Sequence, residues 1–75
     1  MKHSFYFPTE NVARMFVNTE ETIGDRLEFA GIQKSSRDAA SYYAEFEGAE
    51  LKPEEAKLMS KDALLYGCTK CYFNE

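Results

Sequence analysis

The sequence contains few of the side chains from which catalytic and metal sites are usually built. It has one histidine, His3, two cysteines and no tryptophan. A single histidine near the first residue forms no catalytic triad or acid–base pair that the sequence identifies. The four glycines are widely separated, and Gly31, Gly48 and Gly67 each end a patterned segment, so the sequence has no glycine-rich phosphate-binding loop. We therefore expect a protein without enzymatic activity, without a bound metal and without a cofactor.

The two cysteines form a CxxC motif, Cys68-Thr69-Lys70-Cys71. A structural zinc site needs four ligands, and His3 is the only other good donor in the sequence. A thioredoxin-like dithiol lies at the N-terminus of a helix, where the helix dipole lowers the thiol pKa. Here the motif follows a predicted helix and enters a predicted strand. We expect at least one of the two cysteines to pack as a small core residue.

Long apolar runs and export signals are also missing. No segment approaches the ~20 apolar residues that a membrane span requires. The first residues, MKHSFYFPTE, lack the apolar run and the small-residue end of a secretory signal. Two cysteines without an export signal indicate a reducing compartment and free thiols. We expect a cytoplasmic protein that does not bind membranes.

Positive charge is scarce. Nine Lys and Arg side chains stand against 13 Asp and Glu, which gives a formal net charge of −4. Binding of nucleic acid through its phosphates requires a basic patch, so this balance argues against direct binding. An acidic surface fits a basic partner, although it also fits simple solubility.

The 75 residues are enough for one small domain, which we place at residues 1–75. Periodicity and turn signals predict the order β-α-α-β-α-β. The predicted elements are a strand at 3–7, helices at 10–16 and 20–30, a strand at 41–47, a helix from Pro53 that Gly67 closes, and a strand at 70–73. Thr9 is the predicted N-cap of the first helix, and a polar loop is predicted at 33–40. We expect a compact α+β domain with a three-stranded antiparallel sheet packed by helices, whose strand order the sequence leaves open.

Residues 12–32, VARMFVNTEETIGDRLEFAGI, resemble the helix-turn-helix family, and in particular its Fis-like members. Ala13 matches the small residue of the first helix, and Ile23 and Leu27 match the packing residues of the second. Gly31 matches the glycine that closes the second helix, where it would take the left-handed position. The resemblance implies a DNA-binding transcriptional regulator. Its basic contacts would be Arg14, Arg26, Lys34 and Arg37.

The charges of this segment differ from those of a DNA-reading helix. The positions that would face the groove include Glu20, Glu21, Asp25 and Glu28. Four carboxylates there would be repelled by the phosphates. Glu21, Asp25 and Glu28 follow each other at i, i+4 and i+7 of the predicted helix, with neighbours ~5–6 Å apart. Such a row of carboxylates on a rigid scaffold can imitate a row of phosphates.

A second acidic group lies on the predicted strand at 41–47. Strand alternation places Tyr43, Glu45 and Glu47 on one face, and Tyr43 can supply a stacking anchor for a partner. The candidate partner-binding residues are therefore Glu20, Glu21, Asp25, Glu28, Tyr43, Glu45 and Glu47. The sequence leaves open whether the helix acids and the strand acids share a face.

In size, acidity, lack of catalytic residues and compact α+β order, the chain resembles small phage-encoded inhibitors, including anti-CRISPR proteins that act as DNA mimics. The resemblance implies an inhibitor that blocks the nucleic-acid site of a basic partner, such as a CRISPR effector subunit. Two other functions stay open: the helix-turn-helix regulator, and a structural or dimerising module that uses the surplus of five Tyr and six Phe. The sequence also leaves open whether the chain is a monomer or a homodimer.

Overall fold

The computed structural model describes residues 1–20 and 26–75. Its elements are β1 (Lys2–Phe7), α1 (Glu10–Thr19), β2 (Leu27–Lys34), β3 (Tyr42–Gly48), α2 (Pro53–Leu64) and β4 (Lys70–Tyr72). The four described strands form one antiparallel sheet in the order β2-β3-β1-β4. The chain forms two β-α-β units, β1-α1-β2 and β3-α2-β4, and in the sheet a strand of one unit lies between the two strands of the other. This is the split β-α-β arrangement of ferredoxin-like folds. The expected α+β class and antiparallel sheet are confirmed.

Several elements follow the sequence signals that predict them. The Thr9 side chain accepts a hydrogen bond from the backbone amide of Val12 at 3.3 Å and so caps α1. Pro53 is the first residue of α2, where a backbone N–H is not needed. β3 keeps the predicted alternation, with Ala44 and Phe46 buried and the residues between and after them more exposed.

The predicted helix at 20–30 is wrong over the part that the structure describes. Leu27–Lys34 forms β2, which pairs with β3, and residues 21–25 lie outside the described residues. Gly31 does not end a helix. It lies at a β-bulge, where the register shifts between Phe29 and Gly31 and the φ angle of Gly31 is 120°. The predicted loop at 33–40 is shorter as a result, and the sheet has four strands where three were expected.

The bulge gives a physical reason for this error. Leu27 and Phe29 point towards the helices, and after the bulge Ile32 does the same, because its ladder partner Ala44 faces the core. The inserted residue makes the spacing from Phe29 to Ile32 three residues, which fits a helix better than a strand's period of two. The apolar pattern of a bulged strand therefore resembles that of a short helix.

Both helices pack on the same face of the sheet. Phe5 and Phe7 of β1 and Phe16 of α1 are completely buried, and the ring centroids of Phe5 and Phe16 are 4.9 Å apart. Met59 and Ala63 of α2 belong to the same core. The opposite side of the sheet, which no described helix covers, is called here the open face. The strand register places on it Lys2, Ser4, Tyr6, Glu28, Tyr43, Glu45, Glu47, Lys70 and Tyr72.

His3 holds β1 to the segments that follow β3 and β4. Its buried ring donates from Nε2 to the carbonyl oxygen of Ala49 at 3.0 Å and accepts at Nδ1 from the backbone amide of Asn74 at 3.1 Å. A backbone amide can only donate, so Nδ1 carries no proton and the ring is neutral. Burial lowers the pKa of His3 below its ordinary value, because a charged ring would lose its solvation.

We expect the protein to lose stability on acidification as His3 titrates. In the unfolded chain the imidazole takes up a proton near its ordinary pKa of about 6.5, whereas the folded ring does so only at lower pH. The stability that His3 contributes is therefore complete above about pH 6.5 and is lost as the pH falls through the folded pKa. Urea unfolding at several pH values measures the loss. The variant His3→Gln, which does not titrate, should lose most of this pH dependence between about pH 7 and about pH 5.

The chain has one histidine, so an NMR titration of its ring protons reports the folded pKa without assignment ambiguity. A folded pKa at or above the ordinary value would contradict the buried, neutral ring described here.

Candidate functional site

Part of the predicted partner-binding set comes together on the open face. The residues that share it are Glu28, Tyr43, Glu45 and Glu47. Glu28 on β2 lies directly opposite Glu47 on β3, and Tyr43 and Glu45 are on the same side of β3. The structure thus places Glu28 with the strand acids, although Glu28 reaches them from a strand and not from the predicted helix.

The described structure does not place the three remaining residues of the predicted set on the open face. Glu20 is the C-cap of α1, and it lines a surface pocket together with Asp62 of α2, on the helix side of the sheet. Glu21 and Asp25 lie outside the described residues. The predicted helical ridge that includes Glu28 is wrong, because Glu28 belongs to β2.

One end of the open face carries an acidic row, which consists of Glu28, Glu45 and Glu47. Lys2 Nζ lies 4.0 Å from Glu45 Oε2 and partly neutralises that carboxylate. Glu28 and Glu47 are exposed, and neither forms an ion pair within the described parts of the chain. Like charges directly opposite each other in a sheet are destabilising. Of the three carboxylates, Glu28 has no cation opposite it in the described ladder, whereas Lys2 lies opposite Glu47 on β1 and close to Glu45.

The other end of the open face carries a tyrosine–arginine cluster, which consists of Tyr6, Arg37, Tyr43 and Tyr72. The rings of Tyr6 and Tyr43 stack across the two central strands, 5.0 Å apart between centroids and inclined by 22°. The guanidinium carbon of Arg37 lies 4.6 Å from the ring centroid of Tyr72 and 5.3 Å from that of Tyr6. A guanidinium over the face of an aromatic ring is attracted to it, so Arg37 favours this arrangement of the two tyrosines.

Hydrogen bonds fix this cluster. The Tyr72 hydroxyl donates to Asp38 Oδ2 at 2.8 Å, and Arg37 Nε donates to the same oxygen at 3.2 Å. The hydrogen bond with Tyr72, followed by that with Asp38, raises the pKa of Arg37, so the side chain stays charged. Burial raises the pKa of Tyr6, so its hydroxyl stays neutral. The cluster is a preformed aromatic surface with one fixed cation.

Sequence reasoning identified Tyr43 but missed the cluster around it. The alternation of side chains along the first strand could have placed Tyr6 on the same face as Ser4. The position of Tyr72 on this face could likewise have been predicted from alternation along the short strand at the CxxC motif. Arg37 and Asp38 come from the 35–41 connection, whose fold over the sheet depends on contacts distant in sequence. No local pattern indicates that approach.

The basic residues of the helix-turn-helix alternative do not form a common surface. Arg14 pairs with Glu10 within α1 at 2.6 Å. Arg26 bonds to Glu55 of α2 and, at 3.0 Å, to the carbonyl oxygen of Glu50. The pKa of Glu55 is lowered first by the hydrogen bond from the Lys52 backbone amide and then by Arg26. Arg37 pairs with Asp38, so three of the four cations each pair with a different carboxylate, whereas Lys34, at the end of β2, forms no ion pair among the described residues. The DNA-reading helix is also replaced by β2 from Leu27 onwards.

The cysteines lie on the helix side of the sheet, away from the acidic row. Cys68 is buried in the core, as expected for at least one of the pair, and Cys71 is half-buried. His3, the further zinc donor considered above, makes its hydrogen bonds with Ala49 and Asn74 instead. Within residues 1–20 and 26–75, no group of three or more His, Cys, Asp or Glu side chains is placed to hold a metal ion.

Comparisons with protein-family models, with curated proteins and with solved structures find no match to this chain. Of the helices in the described residues, none has the length and apolar character needed to cross a membrane. The function of this protein must therefore be inferred from its own surface, beginning with the two ends of the open face.

We expect removal of the Glu28 charge to stabilise the fold. The variant Glu28→Gln should raise the free energy of unfolding by about 0.2–1 kcal/mol, because it ends the cross-strand repulsion with Glu47, whereas Glu47→Gln should gain less because it also loses the attraction of Lys2, which lies opposite Glu47 on β1. Their effects should not add, since the first substitution removes what the second would relieve. Urea unfolding of the wild type, both single variants and the double variant measures this coupling.

Glu54→Gln is the matched control for these variants. Glu54 lies in the first turn of α2, where the helix dipole favours a negative charge, so this variant should be slightly less stable or unchanged. Additive effects of the two strand substitutions would show that Glu28 and Glu47 do not face each other.

Proposed function

We propose that this protein binds another protein through the open face of its sheet, and that the acidic row competes with nucleic acid for a basic site on that partner. The observation that carries the proposal is the juxtaposition of Glu28 and Glu47. Two like charges lie opposite each other on adjacent strands, exposed and without an ion-pair partner among the described residues. A surface that serves solubility alone usually intersperses charges of both signs.

The sheet gives the acidic row the rigidity that mimicry of a phosphate backbone requires. Glu45 and Glu47 are separated by two residues of β3, about 6.7 Å along the strand, and β2 lies about 4.8 Å to the side. The sheet fixes the backbone that carries these carboxylates, so binding of a partner orders their side chains without also ordering the chain beneath them. Their field would accelerate encounter with a basic partner and make the association sensitive to salt.

The tyrosine–arginine cluster supplies the complementary contacts. Tyr and Arg are enriched among the residues that contribute most to protein interfaces. Tyr43 and Tyr72 are half-exposed beside the acidic row, while Tyr6 beneath them is buried. A partner that covers both ends of the face would meet carboxylates at one end and a preformed aromatic surface at the other.

In this proposal the protein inhibits its partner by occupying the nucleic-acid site and needs no catalysis. Small phage-encoded DNA mimics, which it resembles in size and acidity, act in this way. A CRISPR effector subunit is one partner of the right chemistry, because such complexes hold nucleic acid in a positively charged channel.

Charge reversal on the open face tests the proposal. The wild-type chain should capture a basic nucleic-acid-binding protein or complex from a bacterial lysate at low salt and release it at high salt, as identified by mass spectrometry. The double variant Glu28→Lys/Glu47→Lys should fail to capture it, because the acidic row changes sign. The control Glu54→Lys/Asp62→Lys makes the same change in net charge on α2, on the other side of the sheet, and should bind as the wild type does.

A competition assay with the recovered partner then separates mimicry from simple binding. Wild-type protein and the α2 control should displace labelled nucleic acid from the partner, and Glu28→Lys/Glu47→Lys should not. Direct binding of DNA by the chain itself, or capture that is equal for both double variants, would overturn the proposal.

A further inference from the structure

The two thiols of the CxxC motif lie close together without a disulfide between them. Cys68 Sγ and Cys71 Sγ are 3.5 Å apart, and both cysteines are free. The backbone holds them in place independently of each other. The Cys68 amide donates to the carbonyl oxygen of Ala63 at 3.1 Å, which fixes the turn after α2, and Cys71 pairs with Phe5 in the sheet. A disulfide would require the two sulfurs to approach from 3.5 Å to about 2.05 Å.

The two thiols differ in access. Cys68 is 7% exposed and belongs to the hydrophobic core, whereas Cys71 is half-buried at the edge strand β4. A surface pocket of about 230 Å³ opens beside them, lined by Ser60, Leu64, Cys68, Thr69, Lys70 and Cys71. Both cysteines line this pocket, and Cys71 is the more exposed of the two.

The pKa values of the two thiols also differ, and the more accessible thiol is the more acidic one. The hydrogen bond from Cys68, together with a hydrogen bond from Ser60 and the charge of Lys70, lowers the pKa of Cys71 to about 7. The same pairing, together with burial, raises the pKa of Cys68. Because the thiolate is the nucleophilic form, Cys71 is the reactive sulfur near neutral pH.

We infer that Cys68 and Cys71 form a redox-active dithiol that reduces the disulfide of a second molecule, with Cys71 as the attacking sulfur and Cys68 as the resolving sulfur. The pocket beside Cys71 would receive one half of that disulfide. This activity is independent of the open face, since the pocket lies on the helix side of the sheet between α2 and β4.

The electrons and protons of this exchange balance. The Cys71 thiolate attacks one sulfur of the disulfide RS–SR, the S–S bond breaks, and one RS⁻ leaves and takes a proton from water. The protein now holds a mixed disulfide at Cys71. Cys68 then gives its proton to water, and its sulfur attacks Cys71 Sγ and expels the second RS⁻, which takes a proton from water in its turn. The dithiol has been oxidised to an intramolecular disulfide, and RS–SR has been reduced to two thiols.

Bridging of a soft metal ion by the two thiolates is the competing use of such a pair. The described residues offer these two sulfurs without a third or fourth ligand, whereas structural zinc needs four. The unequal burial of the two sulfurs suits sequential attack and resolution better than symmetric ligation.

Oxidised glutathione is the probe for the exchange. Wild-type protein should form the Cys68–Cys71 disulfide without accumulating a mixed disulfide, as read by mass spectrometry after acid quenching and alkylation. Cys68→Ser should accumulate a glutathione adduct at Cys71, because the resolving sulfur is missing. Cys71→Ser should react at least about tenfold more slowly, since its remaining thiol is buried and has a raised pKa.

A measurement on the unmodified chain keeps the inference testable if either variant unfolds. Limiting iodoacetamide followed by peptide mapping should modify Cys71 first, with a rate that rises through a midpoint near pH 7. Equal modification of both thiols, or a midpoint at the ordinary cysteine pKa of about 8.5, would overturn the inference. So would a wild-type protein that stays reduced in oxidised glutathione, or that binds one zinc ion per pair and is thereby protected from alkylation.

Discussion

The pairing of β2 with β3 determines what this protein presents on its open face. Side chains alternate along a strand, so a shift of one residue in this register would turn Glu28 towards the core and an apolar neighbour towards solvent. The bulge between Phe29 and Gly31 lets Leu27 and Ile32 both reach the core. Without the extra residue, one of these two side chains would point to solvent. The acidic row therefore lies beside a backbone irregularity that begins at the residue after Glu28.

The sheet also separates the molecule into surfaces with different chemistry. One end of the open face carries carboxylates, and the other carries stacked tyrosines beneath Arg37. The helix side holds the core and, at its edge, the paired thiols of Cys68 and Cys71. A chain of 75 residues has no room for a deep substrate cavity.

Sequence patterns correctly predicted the elements whose starts and faces are set by neighbouring residues. Thr9 and Pro53 mark the starts of the two helices, and the alternation in β3 places Tyr43 with its acidic neighbours. β2 escaped prediction because its bulge changes the apolar period from two to three. Glu28 was selected from the wrong element, and only the pairing with β3 shows its true neighbour. The CxxC spacing already brings the two cysteines close in sequence, whereas the approach of Arg37 to the sheet depends on tertiary contacts that no spacing in the sequence indicates.

The central claim is that residues 27–34 form a strand that sets Glu28 opposite Glu47. NMR of the labelled protein tests it directly through backbone chemical shifts and inter-strand nuclear Overhauser effects. The account predicts extended-strand shifts across Leu27–Lys34, with cross-strand contacts to the backbone of Tyr42–Gly48 and a break in the ladder at the bulge. Helical shifts and i to i+3 contacts over residues 27–30, without contacts to β3, would contradict it and restore the DNA-reading helix.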